Sequence, residues 1–164
     1  AIVKEIIAGK MNAALVFEDD VMLRHDALSL LDDARDALAG VDWDIIYLGA
    51  AIADTEPERF SRGVLRVRNA SHTHAYCMSQ AGAWRADAIF EELARRVVKP
   101  PFDIVMGSML PGTYHVEPIA AIQRAGHSDI EDRITAEAAQ RAAYFRLFDE
   151  KTFHDNRAKS HSPL

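Results

Sequence analysis

Glu18, Asp19 and Asp20 stand in a row directly after Ala13-Ala14-Leu15-Val16-Phe17, an unbroken apolar run typical of a strand buried on both faces. Three carboxylates at such a strand end repel one another, and the adjoining core partly desolvates them; both effects disfavour the charged forms. A divalent cation relieves both, and hard oxygen ligands suit Mg2+ or Mn2+. In open α/β sheets, ligands bind beyond the carboxyl ends of the strands. With extended geometry continuing through the triplet, Glu18 and Asp20 project to the same side. Asp20 is therefore the first candidate metal ligand. Glu18 and Asp19 are candidates to share the metal, a bridging water or a ribose hydroxyl. The competing reading is a solvated strand end with helix-capping duties.

Other chemistry-bearing residues are scattered. His72 and His74 are two apart on a predicted strand and face one side. A zinc site needs more ligands than these two, and Cys77 is the single cysteine of the chain. That cysteine lies between Tyr76 and Met78 and reads as a buried structural thiol, and no intrachain disulfide is available to it. Asp44 reads as a strand-edge residue.

The elements that must position these groups follow from periodicity. Ile2, Val3, Ile6 and Ile7 repeat at helical spacing and Gly9 ends the pattern. After the acidic triplet, Asp26 is placed to cap a helix with apolar positions at Leu28, Leu31, Ala34 and Leu38, closed by Gly40. Residues 44–49 read as a second buried strand. Strand, helix and strand at this spacing predict a βαβ unit with a parallel pair. Residues 50–63 read as a surface loop, 64–67 as a half-exposed strand and 74–78 as a strand. A helix is predicted over 81–96, carrying Trp84, Ile89, Phe90 and Leu93 inward and ended by Pro100-Pro101. Residues 102–110 are read as helix, 114–116 as a short strand, and 135–148 as a last helix. Residues 1–150 form one predicted domain, and the polar stretch 151–164 is expected to be a frayed tail.

At 164 residues with a formal charge of −6, the chain is long enough to bury a core and too acidic to suggest nucleic-acid binding. No apolar run approaches the length needed to span a bilayer, and no signal-peptide pattern opens the sequence. The first residues enter an amphipathic pattern at once, so the chain reads as part of a longer one.

The run Ala14-Leu15-Val16-Phe17-Glu18-Asp19-Asp20-Val21 resembles the hallmark of family 25 glycosyltransferases. Further elements are similar to that family's pattern in order: Asp42 to Gly49; Thr73-His74-Ala75-Tyr76 with Ser79 and Gly82-Ala83; Pro101-Phe102-Asp103; and Pro118, Gln123 and Ser128-Asp129-Ile130. The resemblance runs from about residue 2 to residue 130. It implies an α/β, GT-A-like mixed sheet flanked by helices. It also implies an inverting, Mn2+-dependent transfer of a hexose, often galactose, from a UDP-sugar to a lipopolysaccharide or other saccharide acceptor; related members act on hydroxylysine in collagen. A cytoplasmic location follows from it, with peripheral contact at the inner face of the membrane.

Such a transfer needs a cation against the departing diphosphate, a base at the acceptor hydroxyl and an aligned acceptor. The resemblance puts Asp20 and Glu18 on the metal, Asp103 as the base with Glu117 in reserve, and Asp19, His74, Tyr76 and Gln123 around the donor or acceptor. Each has a plainer reading: Asp103 as a helix cap, His74 as a hydrogen-bonded core histidine, Gln123 as a surface polar group. His115 and His127 are further candidates for a nitrogen ligand. The family's N-terminal portion, which helps bind the nucleotide, has no counterpart in the sequence. Two other readings stay open: a non-catalytic domain of the same fold that dimerises through an exposed sheet edge, and a Mg2+-dependent phosphoesterase, for which no second acidic cluster is seen.

Overall fold

The computed structural model describes residues 2–54, 56–96 and 100–124, together with the backbone of the strands at 127–128, 133–134 and 153–155. The predicted helix over 135–148 lies outside the described residues.

The helices are α1 (Ile2–Ala8), α2 (Ala27–Ala37), α3 (Gln80–Ala94) and α4 (Phe102–Met109). The strands of the main sheet are β1 (Ala13–Phe17), β3 (Ile45–Ile52), β4 (Glu58–Ser61), β5 (Val64–Arg66), β6 (Ala70–Ser79) and β7 (Thr113–Val116), in the order β1-β6-β3-β7-β5-β4. A smaller sheet, β11-β2-β8, is made by β2 (Val21–Arg24), β8 (Ala121–Gln123) and β11 (Phe153–Asp155), and β9 (His127–Ser128) pairs with β10 (Arg133–Ile134). The molecule is thus a mixed α/β fold whose six-stranded mixed sheet is flanked by helices.

Several expectations are corrected. β1 and β3 run in the same direction but do not pair, because β6 inserts between them and is antiparallel to both. The parallel pairing in this sheet is β3 with β7. The expected loop over 50–63 contains the end of β3 and all of β4. Residues 153–155, expected to be frayed, pair with β2. On α2, Leu31, Ala34 and Leu38 are buried as expected while Leu28 faces outward. The Asp26 side chain does not cap that helix; its two oxygens accept from Arg24 at 2.8 Å each.

Strand alternation divides the core in two. Ile46, Leu48, Ala75, Cys77, Tyr114 and Val116 pack with α2 and with Val21 and Ala121 of the small sheet. Ile45, Tyr47, Tyr76 and Met78 point the other way, towards α1, α3 and α4. Cys77 is the expected buried thiol, and burial pushes its pKa up to about 11.

On α3, Trp84 is 57% exposed, contrary to its predicted inward position. Small residues take its place: Gly82, Ala83 and Ala86 face the sheet, and a Cβ on Gly82 would collide with the Asp44 carbonyl oxygen. The helix lies too close to the backbone to admit an indole there. Ser79 caps it, its Oγ accepting from the Gly82 N–H at 2.9 Å and donating to the Trp43 carbonyl at 2.7 Å.

Asp44 is not an edge residue. It is fully buried, accepts a hydrogen bond from the Gly112 N–H at 2.8 Å, and is ion-paired with Arg85. One carboxylate thereby joins the start of β3, the helix α3 and the turn leading into β7. Removing it leaves the buried Gly112 N–H without an acceptor, while the guanidinium keeps its pairing with Asp42. Asp44→Ala is expected to lower the unfolding free energy by about 2 kcal/mol, the scale of a buried donor left without an acceptor. Equilibrium urea unfolding measures this, and an unchanged midpoint would show that the contact carries no stability.

Candidate functional site

β1 ends at Phe17, but its pairing with β6 extends one residue further: the Glu18 N–H donates to the His74 carbonyl at 2.9 Å. The chain then turns sharply. The Val21 N–H reaches back to the Glu18 carbonyl at 3.4 Å, closing a tight turn over residues 18–21. The extended geometry assumed for the triplet therefore stops at Glu18, and Asp19 and Asp20 form the corner between the two sheets.

Asp20 is held on both sides of that corner. Its backbone carbonyl accepts from the Arg124 N–H at 2.8 Å. Its side chain is partly buried, and Oδ1 is a buried atom with no hydrogen-bond partner among the described residues. Glu18 accepts a hydrogen bond from Gln123 Nε2 at 3.2 Å. Burial raises the Glu18 pKa most, and the negative charges of Asp20, Asp103 and Asp19 raise it further. Asp103, distant in sequence, thus lies within electrostatic reach of the triplet.

Asp103 sits in the first turn of α4, where Pro101 is the cap residue and makes no side-chain cap bond. Its Oδ2 accepts from the His72 backbone N–H at 3.0 Å. His72 has φ of +57°, in the left-handed region unusual for a residue other than glycine. It lies where the β3–β6 register shifts: Gly49 pairs with Ala75 and Ala51 with Ser71, so three residues of β6 stand opposite Ala50 alone. This bulge separates the two histidines that were expected to share a face. The His72 side chain is exposed, whereas His74 is buried.

The His74 Nε2–H donates to the Ala121 carbonyl at 3.3 Å, and Nδ1 has no partner among the described residues. Burial pulls the His74 pKa down to about 4, against the opposing pull of the Ala121 carbonyl. The ring is neutral at physiological pH. Its contribution to stability is complete above the ordinary histidine range and is lost as the pH falls towards 4. Gly49 explains the closeness of this contact, because a Cβ there would strike both the Ala121 carbonyl and His74 Nε2.

Tyr76 borders the acidic group. Burial, and then the Glu18 charge, push its pKa up to about 12. Tyr47 packs edge-on against it, with ring centroids 6.2 Å apart, and its hydroxyl is buried without a partner among the described residues. Burial raises the Tyr47 pKa, with smaller contributions from Tyr76 and Asp103. Tyr47 and the His72 bulge were not singled out from sequence. Tyr47 hides in an apolar strand, and the bulge depends on pairing between distant segments.

The structure therefore gathers Glu18, Asp19, Asp20, Asp103, Tyr76 and Gln123 at the carboxyl end of β1, with His74 beneath the crossing of β8. It does not gather the reserve candidates. Glu117 is paired with Arg59 at 2.6 Å. His115 is fully buried on β7, its Nδ1–H donating to the Val116 carbonyl at 2.6 Å, and its Nε2 has no partner among the described residues. The side chain of His127 lies outside the described residues. Among the described residues no three His, Cys, Asp or Glu side chains form a ready-made metal-ligand set, and no helix is long and apolar enough to cross a membrane.

No family model matches the chain, and no curated protein matches it significantly.

Because the folded state holds the Glu18 proton more tightly than the unfolded chain does, stability falls as the pH rises through the raised value. Glu18→Gln keeps an acceptor for Gln123 and removes the repulsion. This variant is expected to melt above the wild type at neutral pH, with the gap closing as the pH drops below the ordinary glutamate range. Calorimetric melting curves across that range decide it; a variant melting below the wild type at neutral pH would refute net repulsion at this corner.

Proposed function

We propose that this chain binds a nucleoside diphosphate-sugar through a divalent cation at Glu18 and Asp20 and, as a GT-A-like glycosyltransferase domain, transfers the hexose to a saccharide acceptor with inversion. The observation that carries the reading is the convergence of Asp103 on the Glu18–Asp20 corner: His72, whose N–H binds Asp103, and His74, whose carbonyl binds the Glu18 N–H, are two residues apart on β6. The five ordered sequence resemblances support it independently.

The residues fit a hard cation. Asp20 Oδ1 is buried and unpartnered among the described residues, and Glu18 is destabilised by like charges. Mg2+ and Mn2+ are commonly held by one or two carboxylates, with waters and substrate phosphates completing the shell. A two-carboxylate corner suits that mode, because the diphosphate itself supplies the missing oxygens. When bound, the cation neutralises charge developing on the departing diphosphate.

The chain's own groups do the remaining work. Gln123 holds Glu18 in place from the opposite sheet. The Tyr76 hydroxyl, kept protonated by burial, is a donor at the edge of the acidic group. The His72 N–H fixes one oxygen of Asp103, and the other carboxylate oxygen takes the proton of the acceptor hydroxyl. Neutral His74 orients the β8 crossing rather than supplying charge. The acceptor, a saccharide or glycolipid, lies on the Asp103 side of the donor sugar.

Calorimetric titration with UDP tests the proposal. UDP is expected to bind weakly with Mn2+ present and not without it. Asp20→Ala is expected to weaken binding on the order of tenfold or more, the scale of one lost charge-assisted contact. Asp103→Asn is expected to leave UDP binding in place and to abolish transfer. UDP binding that needs no metal, or that survives Asp20→Ala unchanged, would count decisively against the site; no binding at all favours the non-catalytic reading.

A further inference from the structure

α4 meets the start of β6 at two points. In the first turn of the helix, Asp103 Oδ2 accepts from the His72 N–H at 3.0 Å. One turn further on, Gly107 is buried so closely against the strand that a Cβ there would overlap the Ala70 carbonyl oxygen. Asp103 and Gly107 are four residues apart and share one face of the helix. Their contacts on β6 are two residues apart. Four helical residues rise about 6 Å and two strand residues about 6.6 Å, so the two spacings match. Asp103 meets the later strand residue and Gly107 the earlier one, which sets helix and strand antiparallel.

Each contact is unusual for its place. Glycine is unfavourable inside a helix, where it has the most backbone freedom to lose. At Gly107 the missing side chain is what lets the helix backbone lie on the Ala70 peptide. On the strand side, His72 has φ of +57° and sits in the β3–β6 bulge. Its N–H leaves the ladder and is taken up by α4. Met106 and Leu110 are buried in the same core as Ala70, which presses the helix down on that contact.

We propose that Gly107 is a positioning residue: its contact with Ala70 sets the height of α4 above β6, and thereby the place of the Asp103 carboxylate beside the Glu18–Asp20 corner. A side chain at 107 must lift or tilt the helix, because the atom it meets is backbone and cannot rotate away. Asp103 shares that face, so the lift carries it off the His72 N–H. The corner itself is held by the pairing of β1 with β6 and by the ties to β8, and it stays in place. Gly107 thus acts on the carboxylate that takes the acceptor proton and not on the pair that holds the donor. That catalytic consequence rests on the transferase reading; the placement of Asp103 does not.

Amide NMR of the whole chain tests the placement directly, because an N–H bonded to a carboxylate is shifted downfield and protected from exchange. In Gly107→Ala the His72 amide is expected to move towards its position in Asp103→Ala and to exchange on the order of tenfold faster, the scale of one lost hydrogen bond to a charged group. Glutamate is one methylene longer than aspartate. Asp103→Glu in the Gly107→Ala background is therefore expected to restore the downfield shift, a rescue that a mere packing role for Gly107 would not give. UDP binding with Mn2+ is expected to be unchanged in Gly107→Ala. Release of UDP from UDP-galactose, with water as acceptor, is expected to fall on the order of a hundredfold, the cost of a displacement of about 1 Å at the reacting groups. A wild type that neither binds UDP nor releases it sinks the transferase reading, and the His72 amide still decides the placement. A folded Gly107→Ala chain whose His72 amide keeps its wild-type shift and protection overturns the proposal. Where that variant does not fold, native-state exchange of the wild type in rising urea decides. The Val105 amide, bonded to the Pro101 carbonyl at 3.2 Å, and the His72 amide are expected to open together. A His72 amide that exchanges freely while Val105 stays protected overturns the proposal as well.

Discussion

A single buried carboxylate ties the start of β3 to α3 and to the turn before β7. Asp44 enters the protein interior with no exposure and is tolerated there because Arg85 and the Gly112 N–H satisfy it. Three segments that are remote in sequence meet on it: the start of β3, the first turns of α3 and the turn before β7. The same place is where Gly82 lets the helix backbone approach and where Ser79 caps it. Parallel pairing of β3 with β7 begins immediately beyond this junction, and the position of β3 in turn fixes Tyr47 and Gly49 under the candidate site.

From that anchor the site is assembled by crossing rather than by local sequence. β6 runs between β1 and β3 and delivers His72, His74 and Tyr76 beside the end of β1. α4 brings Asp103 to the His72 bulge. β8 crosses above Gly49, where only a residue without a side chain leaves room, and delivers Gln123 to Glu18. Each of these contributions is nonlocal, and each is secured by a backbone hydrogen bond rather than by side-chain packing alone. That is a sensible way to hold like charges together, since backbone contacts resist the spreading that repulsion favours.

What the sequence revealed follows the same division. β1 and its triplet, α3, α4, β7 and the buried thiol were readable because apolar periodicity and punctuation are local signals. The insertion of β6 was not readable, because a strand-helix-strand spacing says nothing about a later strand that pairs between the two. β2 is only four residues long and becomes a strand by pairing with the distant β8 and β11, and the charged residues of β4 mask its hairpin with β5. Trp84 was misplaced because size suggested burial, whereas the close approach of α3 reserves its inner face for glycine and alanine. Asp44 was misread because a charged residue next to an apolar strand is usually solvated, and its partner Arg85 is invisible at 41 residues' distance. At the site, the acidic triplet was plain, but its corner geometry and the Asp103–His72 contact required the fold.

The corner at residues 18–21 has a mechanical meaning. It is a covalent joint between two separately hydrogen-bonded sheets, and Gln123, the Arg124 N–H and the Ala121 carbonyl are ties that clamp the smaller one down. Anything gripping Glu18 and Asp20 at once would act as a rivet through that joint. Its free energy of association would be shared with the clamping of β2 and β8, so occupancy and the rigidity of the small sheet become one thermodynamic quantity.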